Sequence, residues 1–277
     1  MTAFLKMHGL GNDFVVFDAR RERLALDAAS AKALADRRLG VGCDQVIVVG
    51  EGANGFDAAM RIYNADGGEV ESCGNAARCV ARLLMEEKDC DRIALHTPGG
   101  PLLCEDAGGG RVTIDIGAPR FGWDEIPLAR PENTNDFVIA LGHETYRAAA
   151  VNVGNPHCVL FEGNADTAPV SSLGPRIETH LLFPERVNVE FVTVKDRGHL
   201  RMRVWERGAG ITRACGTGAC AAVAAAHRRG LVSRKVDVAL DGGTLSIELR
   251  ESDGHILMTG PATLSFRGEI DLGNFAS

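Results

Sequence analysis

Cys73-Gly74-Asn75-Ala76-Ala77-Arg78-Cys79 and Ala214-Cys215-Gly216-Thr217-Gly218-Ala219 are two versions of one short pattern, 142 residues apart from cysteine to cysteine. Each opens a helix-like run. After Cys73, Ala, Leu, Arg and Glu dominate from Asn75 to about Glu87; after Cys215 a comparable run extends from Thr217 to about Arg229, and Gly230 is placed to end it. A single Cys-Gly carries little information. Its recurrence at two helix starts points to two homologous halves that each contribute one thiol to a shared active site.

The rest of the chain follows the same offset of 142–143 residues. Gly11-Asn12 falls on Gly154-Asn155 with a Val-rich strand after each, Gln45 falls on Asn188, and Asn64 falls on Glu206. Because these polar positions move together with the cysteines, a duplicated unit accounts for them better than chance recurrence of Asn and Gly in loops. Runs such as Phe14-Val15-Val16-Phe17, Val46–Val49, Val112–Ile116 and Val189–Val192 lie between Gly, Asn, Asp and Pro, which is strand and turn chemistry. Weaker helices are expected over about 29–37 and 172–180. The expected fold is α+β: two pseudo-symmetric domains, each a mostly antiparallel sheet or barrel around a central helix, with the active site in the cleft between them. The expected domains are 1–116 and 117–262, with a strand at about 263–277 returning to the first and Gly117-Ala118-Pro119-Arg120 as linker.

Composition narrows the function classes. The 277 residues are 45% hydrophobic and 24% charged, and no apolar run approaches the roughly 20 residues of a membrane span. A formal charge of −7 without any Lys/Arg block argues against a nucleic-acid partner and favours a small molecule. The first residues lack the basic and apolar regions of a signal peptide, so a cytoplasmic location is expected, with the eight cysteines reduced. There is no Cys-x-x-Cys pair and no Cys/His spacing of zinc type, so no metal site is expected. Cys79, Cys90, Cys104 and Cys220 read as packing residues, and the strand contexts of Cys43 and Cys158 favour the same role.

A helix start leaves backbone N–H groups without intrahelical partners and carries partial positive charge, so it attracts a carboxylate and lowers the pKa of a nearby thiol. Glycine after each cysteine lets a ligand approach the backbone closely. With both helix starts in one cleft, N–H groups from two helices could hold one carboxylate while two thiols flank the adjacent carbon. That arrangement suits inversion at the carbon, with a base on one face and an acid on the other. A hydrolase would want one nucleophile and a distinct base. A binding protein without chemistry would show no hydrogen exchange at that carbon, and a thiol redox sensor would have no need of carboxylate-binding helix starts.

At these residues the chain resembles the diaminopimelate epimerases. The resemblance rests on Met7-His8-Gly9-Leu10-Gly11-Asn12-Asp13-Phe14, Asn64-Ala65-Asp66-Gly67, both cysteine motifs, Gly154-Asn155-Pro156-His157, Arg186-Val187-Asn188-Val189-Glu190 and Glu206-Arg207-Gly208-Ala209-Gly210. It implies that Cys73 and Cys215 are the two acid/base residues and that His157 and Glu206 set their protonation. Backbone groups at Gly74, Asn75, Gly216 and Thr217 would hold the reacting carboxylate. Asn12, Asn64, Asn155, Asn188, Glu206 and Arg207 would recognise the distal amino acid end, with Gln45 near the site. It further implies a homodimer and no pyridoxal phosphate; none of the five lysines falls within the cysteine or Asn motifs. Asp13 and Asp66 read as turn or cap residues, and Arg78 as a structural partner. Two departures from the family pattern are Ala76, where Gly is common, and Arg213, where a small or apolar residue is common. The related proline racemases typically carry Cys-Gly-His-Gly at the first cysteine and Pro-Cys at the second, neither of which this chain has.

Overall fold

The structure, a computed structural model, describes residues 1–22, 24–71 and 73–275. The chain forms two compact units, residues 1–114 together with the segment from Thr259 onward, and residues 115–258. The first part of the chain runs through β1 (Thr2–Gly9), β2 (Asn12–Asp18), α1 (Ala28–Ala35), β3 (Gln45–Glu51) and β4 (Ala58–Asn64). It continues through β5 (Glu69–Val70), α2 (Gly74–Lys88), β6 (Arg92–Thr97), β7 (Gly100–Asp106) and β8 (Arg111–Asp115). There follow β9 (Phe137–Leu141), β10 (Glu144–Asn152), β11 (Pro156–Phe161), α3 (Val170–Glu178), β12 (Asn188–Asp196) and β13 (His199–Glu206). The remainder is β14 (Gly210–Ile211), α4 (Gly216–Arg228), β15 (Lys235–Leu240), β16 (Gly243–Leu249), β17 (Ile256–Pro261) and β18 (Thr263–Ile270).

The two units repeat one order of pairings. In the first, β18–β1–β2 are antiparallel, β2–β3 parallel and β3–β4 antiparallel; β4 then takes β5 antiparallel and β6 parallel, and β6–β7 are antiparallel. In the second, β9–β10–β11, β12–β13–β14 and β15–β16 are antiparallel, while β11–β12 and β13–β15 are parallel. The fold is α+β with two pseudo-symmetric domains, and β18 takes in the first the place that β9 takes in the second. Antiparallel pairing predominates, but among the described residues a helix lies in the parallel connections β2–β3, β4–β6, β11–β12 and β13–β15. A short hairpin can reverse a strand, whereas bringing the chain back in the same direction takes a crossover of about a dozen residues or more.

Helices on both faces explain why the central strands read as continuous apolar runs rather than alternating ones. Phe14-Val15-Val16-Phe17 is wholly buried. Val15 and Phe17 pack with Ala31 and Leu34 of α1 and with Val46, Val48 and Tyr63. By the two-residue period of a strand, Phe14 and Val16 face the side of α2, which packs on β1, β2, β6 and β7. In the second unit Cys158, Leu160, Val189 and Phe191 pack with Leu173 and Ile177 of α3. His157 and Glu190 therefore fall on the side of α4, which packs against β10, β11, β12, β13 and β16. Gly and Ala make up most of α4, and every residue from Gly218 to Ala226 is buried. Small side chains let strands approach the helix closely.

Both long helices start one residue earlier than the sequence pattern suggests, at Gly74 and Gly216, each directly after its cysteine. Among the described residues no helix is long and apolar enough to cross a membrane. Phe191 is 0% exposed in the core under α3. Phe191→Ala should lower stability by about 3–5 kcal/mol, measured as a lower urea midpoint; a loss below about 1 kcal/mol would contradict this packing.

Candidate active site

In the first unit, Cys73 is extended at φ −148°, ψ 108° and stands immediately before α2. Its Sγ lies 3.8 Å from Asn12 Oδ1, which also accepts from Asn75 Nδ2 at 3.0 Å. The Asn75 oxygen in turn accepts from Arg78 Nη2 at 2.7 Å, and Arg78 Nε reaches the Pro261 carbonyl at 3.3 Å. Arg78 is fully buried. It fixes the amide of a residue in the first helical turn, a larger part than its sequence context suggested.

The Asn12 amide is held from behind. Its Nδ2 donates to Asp44 Oδ2 at 3.0 Å, and the same oxygen accepts from the Asp13 backbone at 3.1 Å. Asp13 and Asp44 share Arg37, and Lys6 adds a second cation at Asp13. Burial by itself would raise the Asp13 carboxyl, but hydrogen bonds from Arg37 and Lys6 outweigh it and hold the group at about 2. Because this pKa is depressed, the stabilisation is complete above the unfolded carboxylate range and is lost only as pH falls toward about 2. Gln45, at the start of β3, donates to Asn64 Oδ1 at the end of β4, 2.9 Å away. Asp66 accepts from Gly68 N–H at 2.9 Å, the turn role expected of it.

In the second unit, Cys215 holds the matching place before α4, at φ −116°, ψ 110°, and accepts from Gly218 N–H at 3.3 Å. Thr217 Oγ1 is 3.6 Å from the sulfur. Glu206, at the end of β13, accepts from Thr212 and hydrogen-bonds the Cys215 thiol. His157 is 0% exposed; its Nδ1 is 2.7 Å from Glu190 Oε1 and its Nε2 is 2.8 Å from Asn155 Oδ1. Asn188 donates to the Pro156 carbonyl at 3.0 Å and accepts from Arg207 N–H at 2.9 Å. The Arg207 side chain is exposed. Its loop is anchored by Glu178, which accepts from Gly208 N–H at 3.0 Å and from Trp205 Nε1 at 2.6 Å.

The thiols divide by environment. Burial pushes Cys43 up to about 11 and Cys79 and Cys104 to about 12, which leaves them as neutral packing groups. Cys158 goes up through burial and the neighbouring Glu190. Cys215 also rises, contrary to the lowering that a helix start alone would give. Burial is the largest cause, Glu206 and Glu190 add to it, and the Thr217 and Gly218 hydrogen bonds oppose it only in part. Burial likewise raises Glu206 and Glu190. Cys215 is thus set to stay a thiol, a proton donor.

The expected site residues in each unit sit at or next to strand ends, or at the start of the long helix. Asp44, Arg78, Glu178, Glu190 and Thr212 were not picked out as site residues from sequence. The pairing of Glu190 with His157 could have been sought there, since the repeat offset places an acid opposite Ile47.

The model of the diaminopimelate epimerase family matches residues 4–122 and 149–265, and each segment contains one cysteine motif. The chain is 53% identical over 275 residues to the diaminopimelate epimerase of Erythrobacter litoralis, with 99% of each chain covered. It is 49% identical over 273 residues to that of Acidiphilium cryptum, covering 99% of this chain and 98% of the relative. Among solved structures, a predicted epimerase from Pseudomonas aeruginosa matches with a TM-score of 0.70 at 20% identity, covering 98% of this chain and 99% of that one. A probable proline racemase from Agrobacterium radiobacter also matches at 0.70, with 17% identity and coverage of 98% and 93%. At these identities the solved structures speak for the fold.

Glu206→Gln removes one of the two carboxylates that raise the Cys215 thiol, so its pKa should fall. At about pH 8 the rate of Cys215 alkylation by iodoacetamide, followed by peptide mass spectrometry, should rise roughly threefold or more. An unchanged or slower rate would contradict the electrostatic assignment.

Proposed function

The chain belongs to the diaminopimelate epimerase family, and we propose that it interconverts LL-2,6-diaminopimelate and meso-diaminopimelate by proton transfer between two cysteines at the α-carbon, without pyridoxal phosphate. It is an isomerase, and the reaction serves lysine and peptidoglycan-precursor biosynthesis. The observation that carries the proposal is the repeated helix start: each unit places a cysteine directly before a helix, with an Asn or Glu at the matching strand ends.

In the proposed mechanism the substrate's reacting carboxylate meets the N–H groups of Gly74, Asn75, Gly216 and Thr217. One thiolate takes the α-proton and becomes a thiol. The electron pair left on carbon spreads into the carboxylate, where the two helix starts stabilise the added charge without reorganising. The opposite thiol then returns a proton to the other face, and the configuration inverts. Burial and the neighbouring acids raise the Cys215 thiol, which favours the donor role for it in the resting enzyme. His157 and Glu206 set the protonation of the cysteines, Glu206 by raising the Cys215 thiol. Asn12, Gln45, Asn64, Asn155, Asn188, Glu206 and Arg207 recognise the distal amino acid end, where a carboxylate meets Arg and amide donors and an ammonium meets Glu and amide oxygens. The working protein is proposed to be a cytoplasmic homodimer.

The test is incubation with LL-diaminopimelate in deuterated water. Meso product carrying one solvent deuterium, unaffected by hydroxylamine and lost in both Cys73→Ala and Cys215→Ala, is the expected result. Turnover by both alanine variants would sink the two-thiol mechanism, and loss of activity to hydroxylamine that pyridoxal phosphate restores would sink the cofactor-free one.

A further inference from the structure

Glu190 is a buried acid that raises the Cys215 thiol only as a lesser cause beside burial and Glu206, and the mechanism above gives it no contact with substrate. It sits on β12, 0% exposed, with Oε1 2.7 Å from His157 Nδ1 and Oε2 buried without a hydrogen-bond partner among the described residues. The fold does not ask for it. The repeat offset of 143 residues that aligns Asn12 with Asn155 and Gln45 with Asn188 also aligns Phe14 with His157 and Ile47 with Glu190. Phe14 and Ile47 are both 0% exposed on neighbouring strands of the first unit. The same backbone positions are therefore filled in one unit by an apolar pair and in the other by an ionisable one. Replacing a buried ion pair with apolar residues of similar volume often leaves stability unchanged or improved, so packing does not explain the pair.

We propose that Glu190 is a positioning residue which, through His157, fixes the orientation of the Asn155 side-chain amide for substrate recognition. This rests on the role given to Asn155 above. Asn155 Oδ1 accepts from His157 Nε2, so a proton must sit on Nε2. Nδ1 faces a carboxyl oxygen, and one further proton lies between them, on whichever atom holds it. In both placements Nε2 remains a donor. The Asn155 oxygen is thereby engaged, and the amide has only its N–H donors left to offer a ligand carboxylate. Without Glu190, a neutral imidazole is free to carry its proton on Nδ1. Its bare Nε2 would then call for a donor from Asn155, and the amide would turn its oxygen toward the ligand. Burial raises the Glu190 carboxyl, in keeping with a shared proton at this position. Glu190 also meets the first turn of α4: its Oε1 is 3.0 Å, and Cys215 Sγ 3.2 Å, from the point where a Gly218 Cβ would stand. A side chain there would press both groups by a few tenths of an ångström.

The test pairs side-chain nitrogen NMR with kinetics on the full chain. Long-range proton–nitrogen spectra of the wild type should show His157 protonated at Nε2, and Glu190→Ile, which removes the partner that pins Nδ1, should leave the proton distributed between Nε2 and Nδ1. KM for diaminopimelate should rise about tenfold or more, with kcat changed less than KM. The double variant His157→Phe/Glu190→Ile copies the first unit's pair, so it should keep or exceed the wild-type melting temperature while showing the same KM defect; this separates positioning from folding. A wild-type His157 protonated only at Nδ1, or a Glu190→Ile enzyme with KM within about twofold of wild type, would overturn the proposal. Inactive wild-type protein would instead defeat the assigned reaction, and the spectra would still decide the tautomer.

Discussion

A helix whose first turn is buried against strands presents N–H groups that no strand can satisfy, and the chemistry proposed for both cysteines depends on that constraint. The Gly218 N–H turns back to the Cys215 sulfur. In the first unit the side chains of Asn12, Asn75 and Arg78 brace the opening of α2 instead. Gly74 and Gly216 keep the approach to each helix start clear of side chains. Small residues along α4 extend the same logic, since only a slim helix fits against five strands.

Duplication gives the two units one plan, and divergence gives them different electrostatics. The first unit surrounds Asn12 with a surface-reaching network of Asp13, Asp44, Arg37 and Lys6, in which cations hold the Asp13 carboxyl low. The second buries Glu178 and Glu190 and half-buries Glu206, and desolvation drives the Glu190 and Glu206 carboxyls and the Cys215 thiol upward. A helix start pulls a thiol pKa down and burial beside acids pushes it up; for Cys215 the second effect wins.

Much of this was legible in the sequence, for specific reasons. The two Cys-Gly helix starts and the strand-end Asn, Gln and Glu positions stand at one offset, so the duplication and most of the expected site residues could be read directly. Strand direction could not, because apolar periodicity is the same for parallel and antiparallel neighbours; the helix crossovers behind β2–β3 and β11–β12 supply it. The direction of the Cys215 shift was missed because burial belongs to the packed α4 and not to the tripeptide. Asp44, Arg78 and Glu190 were missed as site residues for a related reason: each acts through a neighbouring amide or imidazole that sequence spacing does not reveal.

The central claim, that separate thiols serve the two faces of one carbon, is tested most directly by the fate of the substrate's own hydrogen. LL-diaminopimelate deuterated at the α-carbon would be converted in ordinary water under single-turnover conditions and the meso product analysed by mass spectrometry. Two bases predict product carrying solvent hydrogen at the inverted centre, because the thiol that takes the deuterium is not the one that delivers the proton. Product that retains the deuterium would mean that one group removes and returns it, which would contradict the account.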